Sequence, residues 1–394
     1  MHVLESYALQ NGLKIDKPFI NEKYFPLAVD KFITIDTSNL KTGSLAYSHW
    51  QLVVDQMTPY LEDHNIKIVQ LGDRECAPLA RCYNAIGQCN SNQKAYVIRK
   101  SLVHASPNNE SSHVASLYNK KSVVIYPHNC YPSQFTPYWT DPNRLEIMKP
   151  HSDQKPSFNP NEAPRSIDSI PPEDIAQKIL IFAGIKDFSP SFKTLQIGAA
   201  FSQRKIESDL THLLDIEKLG IGSLIVRMDL NHNEDALRKQ LEGCACSVIT
   251  KRPLSIELIE KYHKKIIELV YYIQDDNDPN FIRAIKQKSI QYLLRSRQDE
   301  KKTADFKLDY FDYGLVEHIR DRNKDDFHKL KGKNKIYYKS NRFIIHEDNF
   351  YPSTAALLRN IHATPSMEHE PHEVIDDPLF WEEGEHFHFF EKSD

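Results

Sequence analysis

Glycine is scarce in this chain, 12 of 394 residues. Neither G-x-G-x-x-G nor G-x-x-x-x-G-K-[ST] occurs, which excludes the common glycine-rich phosphate loops. Cysteine is sparse too: six residues, at 76, 82, 89, 130, 244 and 246, with no C-x-x-C pair and only Cys244 and Cys246 close together. A structural zinc site or a disulfide framework is therefore not expected, and the thiols read as reduced. No apolar run approaches the ~18 residues of a membrane-spanning helix. An excess of basic charge is also missing: the formal net charge is −4 at pH 7, which gives no electrostatic case for nucleic acid or an anionic membrane surface. The first residues, MHVLESYALQNGLKI, lack the basic start and apolar core of a signal peptide, so the expected location is cytoplasmic.

What is present is the balance of a globular protein, 40% hydrophobic and 26% charged, long enough for two core-bearing domains. Short β-branched runs alternate with helical patterns. Phe32–Thr37 reads as a strand, and Tyr47–Asp63 repeats Trp50, Val53, Val54, Met57 and Leu61 at helical spacing. Ile66–Leu71 is a strand, Gln93–Lys100 a helix, Leu102–Val103 a brief strand, Ser111–Tyr118 a helix and Ser122–Tyr126 a strand. Glu173–Ala183 closes this set as a helix. Such alternation means an α/β fold with parallel sheets.

After a linker near Lys186–Lys193 the rhythm resumes. Strands are expected at Thr194–Ile197, Leu224–Met228, Ala245–Ile249, Glu268–Ile273 and Ile290–Leu294. Helices are expected near Glu207–Leu214 and at Asp235–Leu241, Ser255–Lys265 and Pro279–Lys288, a second doubly wound unit. From about Lys307, Lys335–Lys339 and Arg342–His346 flank Ser340-Asn341 as a hairpin, followed by an acidic, aromatic tail. The domains predicted are 1–184, 191–306 and a C-terminal extension, 307–394. The tail histidines His362, His369, His372, His386 and His388 fit no standard ligand spacing, and no metal site is assigned.

The chemistry concentrates in Ser106–His113. This polar turn follows an apolar strand and opens a helix, the place where an open α/β sheet offers free N–H groups and a helix dipole to phosphate. A plain N-capping turn, which uses the same Asn and Ser residues, is the alternative. Gly72 and Asp73, after the strand at Ile66–Leu71, stand at a similar strand end. In the second half, Arg227-Met228-Asp229 and Asn231-His232-Asn233 place a carboxylate and an imidazole at a strand end, where Asp229 and His232 would serve as base or sugar binder.

Taken in order, the motifs of the first half resemble the donor-binding half of GT-B glycosyltransferases of family 9, the ADP-heptose:lipopolysaccharide heptosyltransferase-like proteins. The elements that carry the resemblance are Phe32–Thr37, Ala46-Tyr47-Ser48-His49-Trp50, Ile68–Gly72, Asn92–Tyr96 and Ser112–Ser116 followed by Ser122–Tyr126; it covers about residues 1–184. It implies a GT-B-like fold; together with the second unit and the hairpin read above, the expectation is two Rossmann-like doubly wound domains with a C-terminal β-hairpin extension. It further implies a metal-independent hexosyl or heptosyl transfer from a nucleotide-diphosphate sugar, the donor substrate rather than a cofactor, to a glycan or lipopolysaccharide-type acceptor. The family's Asp-(Thr/Ser)-x-x-x-His-x-Ala element maps onto Asn108, Asn109, His113 and Ala115, with Ser111 and Ser112 between them. Asn108 therefore lacks the family's negative charge. Leu45 stands where a lysine precedes the Tyr-x-x-Trp helix, with Lys41 the nearest substitute. Thr37, Lys41, Gly72, Asp73, Asn108, Asn109, Ser111, Ser112 and His113 are the implied donor contacts. The family's acceptor-binding half has no counterpart in the resemblance, so the alternative is a catalytically silent carbohydrate- or nucleotide-binding or assembly module on the same scaffold.

Overall fold

The computed structural model describes residues 1–38, 43–150, 159, 162, 164–220, 222–274, 278–319, 330, 335–367 and 370–393. The chain divides into two compact units, Met1–Gln196 with Glu391–Asp394, and Ile197–Phe390.

In the first unit, helix α1 (Val3–Asn11) precedes strand β1 (Phe32–Asp36), α2 (Trp50–Asp63), β2 (Lys67–Leu71), β3 (Tyr83–Asn84), α3 (Ser91–Lys100), β4 (Val103–Pro107), α4 (Glu110–Leu117) and β5 (Lys121–Ile125). Then come α5 (Pro132–Phe135), β6 (Leu145–Met148), α6 (Pro172–Ala183) and β7 (Phe192–Ile197). The sheet runs β3-β2-β1-β4-β5-β6, all parallel. Its order reverses between β1 and β4, so the crossovers wind in both directions and helices cover both faces. Strand alternation feeds the two cores. Ile33 and Ile35 pack with Val53, Met57 and Leu61 of α2 and Ile175 and Ile179 of α6. Phe32, Val69 and Leu71 pack with Val97 and Ile98 of α3 and Ala115 of α4. Helix α3 begins two residues before the expected Gln93 because Asn90 caps it: its side chain accepts from Gln93 N while Gln93 returns a bond to Asn90 N.

The second unit contains β8 (Lys205–Ser208), β9 (Ile225–Arg227), α7 (Glu234–Gly243), β10 (Cys246–Thr250), α8 (Ile256–Tyr262), β11 (Ile266–Ile273), α9 (Pro279–Gln287), β12 (Gln291–Ser296), α10 (Glu300–Asp309) and β13 (Val316–His318). Its C-terminal part adds β14 (Ile336–Ser340), β15 (Arg342–His346), β16 (Asn349–Tyr351), α11 (Thr354–Leu358), β17 (His372–Glu373), α12 (Pro378–Glu382) and β18 (Phe387–Lys392). The main sheet runs β13-β12-β11-β10-β9-β8-β15-β16. From β8 to β13 every crossover steps the same way, so this unit does not have the expected doubly wound order; among the described residues the backward step is the return of β15 to the free edge of β8.

Two local expectations are corrected. Glu207 lies in strand β8, not in a helix, because Ile206 packs into the core while Glu207 meets two buried arginines. Ser340-Asn341 does not close a hairpin. Strand β14 pairs with β17, whereas β15 pairs with β8 and β16. The turn that does reverse the chain is Glu347-Asp348, with φ of 45° and 64°, the double left-handed pair that a tight type I′ hairpin requires. Residues 307–390 are built into the second unit, with β13 and β15 extending its sheet on both sides. Among the described residues no helix is long and apolar enough to cross a membrane.

Candidate functional site

The strand-order reversal in the first unit opens a crevice at the carboxyl ends of β1 and β4, with a cavity volume of about 60 Å³. That holds a few waters or one compact polar group. Its walls include Asp36, Ser38, Asp73, Lys94, Asn109, Glu110 and Ser111.

Asp36 ends β1 and is almost wholly buried; its Oδ1 accepts from Ser38 N at 2.8 Å, turning the chain away from the sheet. Lys94, in the first turn of α3, reaches over this turn. Its Nζ lies 3.9 Å from Asp36 Oδ2, 3.4 Å from Asp73 Oδ1 and 3.4 Å from Ser38 Oγ. Burial works to lower the Lys94 pKa, but the Asp36 and Asp73 carboxylates outweigh it, and the net shift is upward. The group is an ammonium at neutral pH, held by long contacts that leave N–H donors for an added oxygen.

Asn109 caps α4. Its Oδ1 accepts from Ser111 N at 3.1 Å, Ser112 N at 3.3 Å and Ser111 Oγ at 2.6 Å. The cap consumes two amides that a phosphate nest would use, so the N-capping reading describes the backbone here. One donor remains: Asn109 Nδ2 is buried and has no hydrogen-bond partner among the described residues. An unpaired buried amide costs about 1–3 kcal/mol, and a ligand oxygen would remove that cost.

Beneath the cap lies a neutral histidine. His104 Nε2 is 3.0 Å from Ser111 Oγ, and its Nδ1 is 2.9 Å from Thr34 Oγ1. Since the Ser111 hydroxyl hydrogen goes to Asn109, Nε2 carries the imidazole proton and Nδ1 accepts from Thr34. Burial lowers the His104 pKa to about 4, with Lys120 and Lys94 adding to the effect against Asp36.

The other sequence candidates separate. Asp73, Asn109 and Ser111 line the crevice. Thr37 Oγ1 instead receives Gln70 Nε2 at 3.0 Å and donates to Leu71 O at 3.3 Å, and Gly72 packs against it: a Cβ there would lie 3.1 Å from Thr37 Oγ1 and from Cys76. Asn108 points elsewhere, its Nδ2 donating to Cys130 Sγ at 3.4 Å and its Oδ1 accepting from the Tyr126 hydroxyl at 3.4 Å. Ser112 is buried with its hydroxyl on Asn109 O at 2.7 Å. His113 is not a wall of the crevice; burial and the neighbouring His2 lower its pKa. Lys41 lies outside the described residues. Asp36, Lys94 and His104 were missed. The Asn90…Gln93 capping pair was the available signal for Lys94, because it fixes which turn of α3 the lysine occupies.

In the second unit Asp229 is 6% exposed and bound edge-on by Arg227, whose Nε donates to Oδ1 at 2.7 Å and Nη2 to Oδ2 at 2.9 Å. Arg227 Nη1 also donates to Glu207 Oε2 at 2.7 Å and to Thr354 Oγ1 at 3.2 Å. Arg342 donates to both Glu207 oxygens at 2.7 Å, and its Nη1 lies 2.6 Å from Glu383 Oε1. Burial alone would raise the Glu207 pKa; Arg342 and Arg227 reverse this and hold it at about 2. Both Asp229 oxygens are thus engaged by Arg227, and its carboxylate belongs to the same buried network as Glu207. The His232 pKa is lowered, chiefly by burial, and its Nδ1 is enclosed without a partner among the described residues.

No family model and no curated protein matches this chain. Among solved structures, it is similar to Escherichia coli ADP-heptose lipopolysaccharide heptosyltransferase II at 16% identity and a TM-score of 0.31, covering 45% of this chain and 50% of that one. The family 9 glycosyl transferase of Veillonella parvula aligns at 10% identity and a TM-score of 0.30, over 45% and 49%. E. coli heptosyltransferase WaaC with ADP aligns over 72% and 98%, at 11% identity and a TM-score of 0.26. The chain thus spans about half the length of the first two.

Proposed function

We propose that the first unit binds a nucleotide-diphosphate sugar, with one phosphate entering the crevice and the rest of the donor lying over the strand ends outside it, and that the protein is a glycosyltransferase that passes the sugar to a glycan of the lipopolysaccharide type. The observation that carries this reading is the crevice at the β1/β4 reversal, with a buried Asn109 amide, without a partner among the described residues, beside the Lys94 ammonium. Open parallel sheets bind nucleotides at such a reversal. Asp73, just beyond β2, is half exposed and positioned to accept from ribose or sugar hydroxyls. Lys94 and Asn109 Nδ2 would donate to phosphate oxygens, and their fixed positions would stabilise charge on the departing diphosphate.

A second reading, binding without transfer, is favoured by Asp229, both of whose oxygens are engaged by the Nε–Nη2 edge of Arg227. Measuring nucleoside diphosphate released from ADP-, UDP-, GDP- and CMP-sugars (for CMP donors, the monophosphate) separates the two. Release above the background rate supports transfer or its hydrolytic side reaction. Binding without release supports the silent module, and neither binding nor release contradicts both.

A further inference from the structure

The second unit has a larger cavity of its own. It lies at the carboxyl ends of β9, β10, β11 and β12 and is roofed by residues of α11 and α12, with a volume of about 290 Å³. That is close to the lower end of the roughly 300–1,000 Å³ range of small-molecule sites.

We propose that this cavity binds a small phosphate monoester bearing hydroxyl groups, a compound of the sugar-phosphate class. The inference is independent of the crevice in the first unit.

The floor is built rather than incidental. Arg227 is 2% exposed and spreads its donors over Asp229, Glu207 and Thr354, which fixes the Asp229 carboxylate at the cavity wall. Both Asp229 oxygens keep lone pairs beyond those facing Arg227, so the carboxylate remains an acceptor for hydroxyl donors. Two cations complete the lining. Lys251, at the end of β10, has no ion-pair partner among the described residues. Arg297, just past β12, lies with its guanidinium carbon 4.4 Å from the centre of the Tyr272 ring, and its Nη2 is 3.1 Å from Glu382 Oε2. Two cations suit a dianionic phosphate monoester.

The same contacts select against a nucleotide. Arg297 covers the face of Tyr272, the aromatic ring in this wall, and so occupies the surface on which a base would stack. They also identify a competitor. Glu382, at the end of α12, places its carboxylate on Arg297 where the ligand's phosphate would go, and Leu379 of the same helix lines the cavity. The roof helix therefore carries an internal anion that the incoming phosphate displaces.

The test is isothermal titration calorimetry of the full chain with glucose 1-phosphate, glucose 6-phosphate, inorganic phosphate, glucose and AMP. At least one sugar phosphate should bind more tightly than the other three probes. Lys251→Ala, an exposed position that should fold normally, should weaken it roughly tenfold, the effect of losing one charge-assisted hydrogen bond. Arg297→Gln should also weaken it, whereas Glu382→Gln should tighten it several-fold by removing the competing carboxylate. Asn109→Ala, in the first unit, should leave this titration unchanged. The proposal is overturned if no sugar phosphate binds at millimolar concentration, if inorganic phosphate or AMP binds equally well, or if Lys251→Ala leaves affinity intact.

Discussion

Both Asp229 carboxylate oxygens receive one edge of the Arg227 guanidinium, Nε at 2.7 Å and Nη2 at 2.9 Å, while the remaining nitrogen of the same group reaches Glu207 on the neighbouring strand. The pair thus serves as a link between strands. With Arg342 and Glu383 it ties β8, β9, β15 and the segment after α12 into one buried ion network.

Removing one member should be costly because it leaves buried charge uncompensated. Glu207→Gln leaves Arg227 and Arg342 short of their shared carboxylate, and about 3–5 kcal/mol of stability should be lost at neutral pH. The native Glu207 pKa, about 2, lies below the ordinary value of about 4.3. Its contribution is therefore complete above pH ~4.3 and is lost as pH falls toward 2. Urea unfolding should show the gap between wild type and Glu207→Gln narrowing over that window.

His104 gives a second, separate pH dependence. It is neutral in the folded protein, with a pKa of about 4 set mainly by burial, whereas the unfolded chain takes up the proton near pH 6.5. Its contribution is complete above pH ~6.5 and declines as pH falls toward 4, by about 1.4 kcal/mol per unit at most. His104→Gln should be less stable at pH 7, where the Thr34 and Ser111 bonds are disturbed, but should show a shallower loss between pH 6.5 and 4. Denaturant melts at half-unit pH intervals would reveal it, and an unchanged slope would rule out the neutral, buried imidazole.

Gly198 tests the packing of the tail within the second unit. A Cβ at this position would lie 2.3 Å from Glu385 O and 2.4 Å from Gly384 O, so the backbone beside Glu383 would have to move. Glu383 accepts from Thr354 N at 2.9 Å and from the Thr354 hydroxyl. Gly198→Ala should therefore cost about 1–3 kcal/mol. Gly222→Ala, whose Cβ would meet nothing within 4 Å, should change stability by under ~0.5 kcal/mol. Equal effects at the two positions in urea melts would contradict the tight approach.

The first unit was largely legible in the sequence because its signals are local. Ile33 and Ile35, the Trp50–Leu61 stripe and the Asn109 cap each announce an element within a few residues. The contents of its crevice were less so. Asn108 and Asn109 are adjacent and chemically alike, yet one turns toward Cys130 and the other lines the crevice; that choice is made by the helix start, which only the cap geometry fixes. Lys94 gains its place only when Asp36 and Asp73, both distant from it in the chain, are folded around it. In the second unit Glu207 and Arg342 are far apart in the chain, and their meeting depends on β15 docking beside β8. No periodicity within either segment encodes that long-range pairing.

Calorimetric titration of wild type, Asn109→Ala and Lys94→Ala with ADP-, UDP-, GDP- and CMP-sugars probes the donor crevice itself. At least one nucleotide-diphosphate sugar should bind, and each substitution should weaken it by roughly tenfold, the value of a charge-assisted or otherwise orphaned hydrogen bond. No binding at millimolar ligand, or binding that both variants retain in full, would contradict a donor site in the crevice.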